Sequence, residues 1–235
     1  MSDRESIEHD AMVDGLICQQ EYEKASKESA LDQCIYLFVE GESEETAFRI
    51  LLEEGLGIKF EEYGIVIANY NGIGNLKNTA RLMNKTLSHK RPMVFTFDDD
   101  DKNKVPKLEN APINAHFFKI PQEPVVTLAN GDKGGSFEES FPARDFIDAC
   151  FETSLLRSYS SINKSDFESC FVESKPFYAQ MVKFLQRSGC TNYTPSKIEI
   201  AEWLAVSCEK IPRTYTALAA LIQKIRAAQP VQVKM

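Results

Sequence analysis

The chain has no apolar run approaching the roughly 18 residues a helix needs to span a bilayer, so nothing in it reads as a membrane helix. Its opening, MSDRESIEHDAMVDG, is acidic and lacks the apolar segment of a secretory signal, and the expected location is the cytoplasm. Six cysteines (Cys18, Cys34, Cys150, Cys170, Cys190, Cys208) stand far apart with no CxxC pair. That spacing argues against a zinc ribbon and against a secreted disulfide scaffold, and leaves them as reduced packing residues. Histidine is scarce too: His9, His89 and His116 are isolated, with no nucleophile nearby in sequence, and take no catalytic role. GxxxxGK[ST] is absent, so these residues hold no P-loop. The single tryptophan, Trp203, sits in IAEWLA, which like FYAQMVKFL has the spacing of a packing face rather than of a nucleobase platform.

What is present is enough apolar residue for a real core, 43% of 235 positions, and an excess of acid that gives a formal charge of −8. A surface so acidic does not coat nucleic acid indiscriminately. The charge is uneven, however. Residues 1–34 carry nine acids and three bases, whereas 191–235 carry six bases (Lys197, Lys210, Arg213, Lys224, Arg226, Lys234) and three acids. If the protein meets a polyanion, the C-terminal part is the expected footprint; the alternative is an ordinary solvated set of helix faces.

After an N-terminal stretch (1–33) that reads as a helix or partly ordered arm, apolar strands alternate with amphipathic helices. CIYLFV (34–39), YGIVIANY (63–70), PMVFTF (92–97) and AHFFKI (115–120) are strand-like. EETAFRILLEEG, with a stripe of Ala47, Phe48, Leu51 and Leu52 closed by Gly55, and LKNTARLMNKTLS, striped by Leu76, Ala80, Leu82, Met83 and Leu87, are the helices between them. Strands apolar on both faces, separated by helices, predict a parallel sheet covered on both sides. Beyond GGSFEESFP (134–142) four segments turn helical: ARDFIDACFETSLL, KPFYAQMVKFLQRSG, SKIEIAEWLAVSCEKIP and TYTALAALIQKIRAA. The expected division is an arm (1–33), an α/β core (34–142) and a C-terminal helical part (143–235) that packs on the sheet and completes the site.

Ligands in such sheets sit at the carboxyl ends of the strands, and two acidic clusters lie there. Glu40, Glu42, Glu44 and Glu45 follow the first strand; Asp98, Asp99, Asp100 and Asp101 follow the third. Crowded carboxylates repel, and burial worsens the repulsion, so they must be solvated, protonated or neutralised by a cation. Glu40 would project from a strand end and Glu44 from the helical turn above it, while Asp98 and Asp100, two apart, share a direction if the backbone is extended. With no Cys or His among them, this is a hard-oxygen environment suited to Mg²⁺ or Mn²⁺ rather than zinc. Each piece also has a plainer account: Glu44 and Glu45 as partners of a helix macrodipole, DDDDKN as a solvated loop.

FVEGESEETAF resembles the VEG-x-x-[DE] motif that opens the Toprim domain of primases, topoisomerases and OLD-family (overcoming lysogenization defect) nucleases. VFTFDDDD is similar to that domain's DxD strand end, and NYNGIGNLKN resembles the glycine turn after the second strand of OLD-type Toprims. GSFEESF resembles a small-residue-x-Glu element, at Ser136 and Glu138, and SKIEIAEWLA the Lys-bearing helix start of OLD nucleases, at Lys197. The resemblance covers roughly 34–225 and implies a Toprim (Rossmann-like) parallel sheet flanked by helices with a C-terminal helical extension.

It further implies a two-metal phosphodiester hydrolase. Glu40, Asp98 and Asp100 would hold one ion, and Glu44, Glu138 and Ser136 the other. Lys197 would stabilise charge on the phosphoryl oxygens, with Glu40 and Lys197 the residues most directly tied to catalysis. Four consecutive aspartates leave Asp99 with Asp101 as an alternative pair, and Lys102 competes with Lys197, whose plainer reading is a surface lysine.

The implied substrate is DNA, with RNA or tRNA as the alternative. The implied partner is a separate ABC/OLD-type ATPase, in the manner of antiviral defence modules. Double-strand cleavage would need a homodimer or two successive nicks. Two other classes compete: a non-catalytic Toprim assembly module, and an aspartyl-phosphate receiver. The receiver would require a lysine at a later strand end, where the sequence offers only Lys119 inside its strand.

Overall fold

The computed structural model describes residues 3–86, 91–100, 114–159 and 161–234. The four apolar runs are strands: β1 (Ile35–Val39), β2 (Ile65–Asn69), β3 (Met93–Asp98) and β4 (Ala115–Ile120), all parallel, in the order β2-β1-β3-β4. They follow a long helix, α1 (Asp3–Asp32). Between β1 and β2 lie α2 (Glu42–Arg49), a π-helical continuation over Ile50–Gly55, and the short α3 (Phe60–Tyr63); α4 (Ile73–Thr86) joins β2 to β3. The sequence predicts one regular helix up to Gly55, whereas the last six residues are wound in the wider π form. Leu87, which the stripe of α4 includes, lies outside the described residues.

The strand order sets the site. From β1 the chain steps outward to β2, then crosses back past β1 to place β3 on its other side. The crossover helices therefore lie on opposite faces, and a crevice opens between the carboxyl ends of β1 and β3, the switch point where such sheets bind ligands. Alternation along β1 shows the two faces: Ile35, Leu37 and Val39 pack with Ala47 and Phe48 of α2, whereas Phe38 packs with Leu76 and Ala80 of α4 and with Phe95 of β3.

The α2 face carries the larger core, because the C-terminal helices layer onto it. These are α5 (Ala143–Glu152), α6 (Ser154–Ser158), α7 (Lys164–Cys170), α8 (Phe177–Arg187), α9 (Lys197–Ser207) and α10 (Arg213–Ala228). Phe146, Met181, Ile200, Leu204 and Leu218 share one buried cluster with β1 and α2. Phe48 meets the ring of Tyr215 edge-on at 5.4 Å, and each such fully buried side chain contributes about 1.5–3 kcal/mol. No described helix is long and apolar enough to cross a membrane.

Two small features were not expected from the sequence. A two-stranded antiparallel hairpin, β5 (Val126–Thr127) with β6 (Lys133–Gly134), follows β4. Near the chain ends, the Arg226 guanidinium donates to the carbonyls of Gln33 and Tyr63, while Gln33 and Gln232 exchange hydrogen bonds of 2.8 and 2.9 Å.

Candidate functional site

Glu40 stands at the crevice as the residue after β1. Its Oε1 accepts from the Ile73 N–H at 3.0 Å and its Oε2 from the Asp98 N–H at 3.1 Å, so one side chain ties β1 to the first turn of α4 and to β3. The turn that makes this fit is NGIGN. Asn71 (φ 56°) and Gly72 (φ 95°) are both left-handed, and the Gly72 N–H donates to the Glu40 carbonyl at 2.8 Å. Glu44 lies one helical turn up, in α2. Its Oε2 accepts from the Gly41 N–H at 2.8 Å, the one half of a capping box that a glycine N-cap allows, yet its Oε1 is buried with no partner. The helix-end account thus covers only one of its two oxygens. Asp98 Oδ1 is likewise buried without a partner.

The aspartate run splits. Asp98 and Asp100 line one pocket, but Asp99 turns away, buried, with its carboxylate 3.0 Å from Lys119 Nζ. Asp101 and Lys102, the alternatives offered by the sequence, lie outside the described residues, as does His89. His116 lies on β4 beside Val94, within the sheet.

The Asp99 backbone positions the third acidic segment. It forms an isolated antiparallel bridge with Gly135, whose N–H donates to the Asp99 carbonyl at 3.2 Å. At Gly134 a Cβ would come within 1.8 Å of that carbonyl oxygen, so only glycine fits. Immediately beyond, Ser136 Oγ lies 2.6 Å from both Glu138 Oε2 and Glu139 Oε2. A hydroxyl has one proton to donate, so the two carboxylates compete for it. Glu139 also accepts from the Ser136 and Phe177 N–H groups, each at 2.6 Å, which fixes it as the anchor of this loop.

Lys197 opens α9, whose N-terminus is capped by Ser196 Oγ accepting from the Glu199 N–H. Its Nζ lies 3.4 Å from Glu138 Oε1 and 4.8 Å over the ring of Tyr178. The Tyr178 hydroxyl donates to the Pro195 carbonyl at 2.8 Å. Two adjoining pockets meet at Asp98 and Lys197. One, about 330 Å³, is lined by Glu40, Glu44, Asp98 and Glu138. The other, about 460 Å³, is lined by Asp98, Asp100, Ser136, Glu139 and Tyr178.

The electrostatics follow from burial among like charges. Desolvation raises Glu44 to about 8, helped by Glu40 and Glu138 and opposed by the Gly41 N–H. Asp98 is pushed well up by desolvation and then by Glu44, Glu138 and Glu40. Glu40 rises less freely, because two backbone N–H groups stabilise its anion against desolvation and Asp100. Lys197 is held protonated above the ordinary lysine range, chiefly by Glu138 and then by Asp98. Among the described residues Lys197 therefore faces at least four carboxyls.

Orphaned buried oxygens on Glu44 and Asp98 and an all-oxygen donor set fit a hard divalent cation in chemistry. Among the described residues no three acids, histidines or cysteines are drawn round one point as a finished shell.

Residues 35–100 match the sequence model of the family described as overcoming lysogenization defect protein-like, TOPRIM domain. Over that stretch the chain is similar to an OLD-like Toprim domain. Solved structures similar to the chain include the C-terminal region of the Xanthomonas campestris pv. campestris OLD protein (15% identity, TM-score 0.48, covering 84% of this chain and 95% of that one). Another is the C-terminal region of the Burkholderia pseudomallei OLD protein (17% identity, TM-score 0.44, 83% and 98%). No curated protein matches the chain in sequence.

Within the matched segment lie Glu40, Glu44, Asp98 and Asp100; the fold brings Ser136, Glu138 and Lys197 to them from outside it. Glu139 and Tyr178 were not expected at the site. Glu139 differs from Glu138 only by its place in the loop, which no sequence period reports, and Tyr178 reads in sequence as one more apolar position of α8.

Proposed function

We propose that the protein is a metal-dependent nuclease that hydrolyses phosphodiester bonds of DNA. The observation that carries this reading is the convergence, at the switch point of the sheet, of acids from three separated segments whose buried oxygens on Glu44 and Asp98 lack any partner. Glu40, Glu44, Asp98, Asp100, Ser136 and Glu138 would hold Mg²⁺ or Mn²⁺ in a two-ion arrangement. Such ions supply charge for the phosphoryl oxygens and a nucleophile at neutral pH.

The chain's own residues do the rest. Glu40, gripped by two N–H groups, keeps the ends of β1 and β3 at a fixed separation. Lys197, protonated and seated on Tyr178, presents an ammonium where charge builds on the phosphate. Asp98, shared by both pockets, links the two halves of the site.

Any coupling to nucleotide hydrolysis would come from outside these 235 residues, since no Walker A sequence occurs in them. We place a separate ABC/OLD-type ATPase, a role in antiviral defence, a cytoplasmic location and a dimer for double-strand cuts within the same proposal.

The test incubates the protein with supercoiled plasmid and, separately, total tRNA, with Mg²⁺ or Mn²⁺, alongside Glu40→Ala and Lys197→Ala. Plasmid nicking that requires the ion and is lost in both variants is expected. Cleavage confined to tRNA moves the substrate to RNA. No ion-dependent cleavage of either, with Mn²⁺ uptake absent by calorimetry, leaves a non-catalytic assembly module.

A further inference from the structure

The longest stretch of this acidic chain without an Asp or Glu is 63–97, thirty-five residues that at the average composition would hold about five. Much of it is buried strand, but α4 is not. Lys77, Arg81 and Lys85 are all exposed and recur every fourth residue, on one face of the helix. At 1.5 Å rise per residue they stand about 6 Å apart, and none of the three pairs with a described acid. The contrast with α1 is direct: that helix is also exposed along most of its described face but holds nine acids in thirty residues.

Lys85 alone could be ascribed to the macrodipole, since it sits in the last turn. Lys77 and Arg81 do not, being too far from that end. The row also has a direction. α4 begins at Ile73, whose N–H is bonded to Glu40, so the three cations leave the acid site in file at about 6, 12 and 18 Å along the axis. The C-terminal bases that the sequence puts forward are partly committed: Lys197 faces Glu138, Arg226 holds the carbonyls of Gln33 and Tyr63, and Lys234 pairs with Asp32. Lys210, Arg213 and Lys224 are left.

We propose that the Lys77–Arg81–Lys85 face of α4 is a phosphate track that seats the backbone of a nucleic acid running into the site. Its chemistry is sequence-independent: three point or fork cations matched to phosphodiester oxygens, with no base-reading group required. It lies on the sheet face opposite the C-terminal helices. This assignment rests on the reading of the acid site as one that acts on phosphodiesters.

The experiment measures binding of a fluorescein-labelled DNA duplex and, in a second arm, labelled tRNA, by anisotropy over a salt series with Ca²⁺ replacing Mg²⁺, so that affinity is read whether or not the protein cuts. Two triple variants are compared: Lys77→Gln/Arg81→Gln/Lys85→Gln, and Lys210→Gln/Arg213→Gln/Lys224→Gln, which removes the same net charge from the alternative footprint. In the first, the slope of log K against log salt is expected to fall by about 3, with about 100-fold weaker binding near 0.1 M salt. In the second it should change by less than about 1.

Mn²⁺ uptake by calorimetry should be unchanged in both, which certifies fold and site. A fall of about 1 or less in the first triple, an equal fall in the second, or no binding of either probe by the unaltered protein overturns the track. Plasmid cleavage with an unaltered slope removes the track and leaves the nuclease. Binding through α4 without cleavage does the reverse. The arm that responds tells DNA from RNA.

Discussion

Asp98 and Asp99 are neighbours in sequence and opposites in circumstance. Asp99 is buried with a lysine of its own, Lys119, at 3.0 Å. Asp98 is half-buried beside Glu40, Glu44 and Glu138, with half-exposed Lys197 the lysine that faces them among the described residues, and its buried Oδ1 bonds to nothing. A satisfied acid is a structural part, whereas acids left in excess of their cations store repulsion that only protons or an added cation can discharge. The difference separates scaffold from function within one dipeptide.

The largest way to break the comparison is to neutralise each partner in turn. Asp98→Asn should abolish cleavage, at least about 10³-fold, while raising the melting temperature of the ion-free protein by relieving repulsion. Asp99→Asn should do the opposite: it loosens the Lys119 contact and lowers stability by about 1–2 kcal/mol, discounted for the partial exposure of Lys119, with a smaller loss of activity. Paired melting curves and plasmid assays check both, and equal effects would mean that the two acids are not distinct.

Next is pH. Glu44 sits at about 8 in the fold and would titrate near 4.5 unfolded; Asp98 and Glu40 shift the same way. The folded state therefore binds more protons, and stability should decline as pH rises from about 4.5 to about 8. An ion that displaces those protons should recover it. The rise in melting temperature on adding Mn²⁺ should accordingly be larger at pH 8 than at pH 6; an increment that shrinks with pH would contradict the shared-acid picture.

The smallest expected effect concerns Lys197. Tyr178→Leu removes the ring under Lys197, worth about 0.5–2 kcal/mol, and should slow cleavage about 3- to 30-fold. Tyr178→Phe keeps the ring and should sit close to the unaltered rate, which initial-rate measurements can resolve.

Much of this arrangement was legible in the sequence because its signals are long. Five- and six-residue apolar runs marked β1 to β4, and acids directly after two of them marked the crevice. Short elements left no trace. β5 and β6 have two residues each, too few for any period, so the bridge from Asp99 to Gly135 could not be read, nor the split between Asp98 and its neighbour. The seven-residue α7 was also missed. The π-helical turn over Ile50–Gly55 keeps the same apolar residues as an ordinary helix and differs only in winding. The basic row of α4 was in plain view, but setting the charge of residues 1–34 against that of 191–235 draws the eye to the C-terminus, where several of the bases are already occupied by carbonyls and acids.

Where Gly134 passes the carbonyl of Asp99, main chain lies against main chain with no side chain between. The span separating the aspartate strand from the serine–glutamate loop is therefore inherited from the peptide scaffold, and no choice of rotamer can widen or narrow it. Exchanging the acids would retune what the crevice holds while leaving its aperture untouched; altering the aperture would take an inserted or deleted residue in the loop itself.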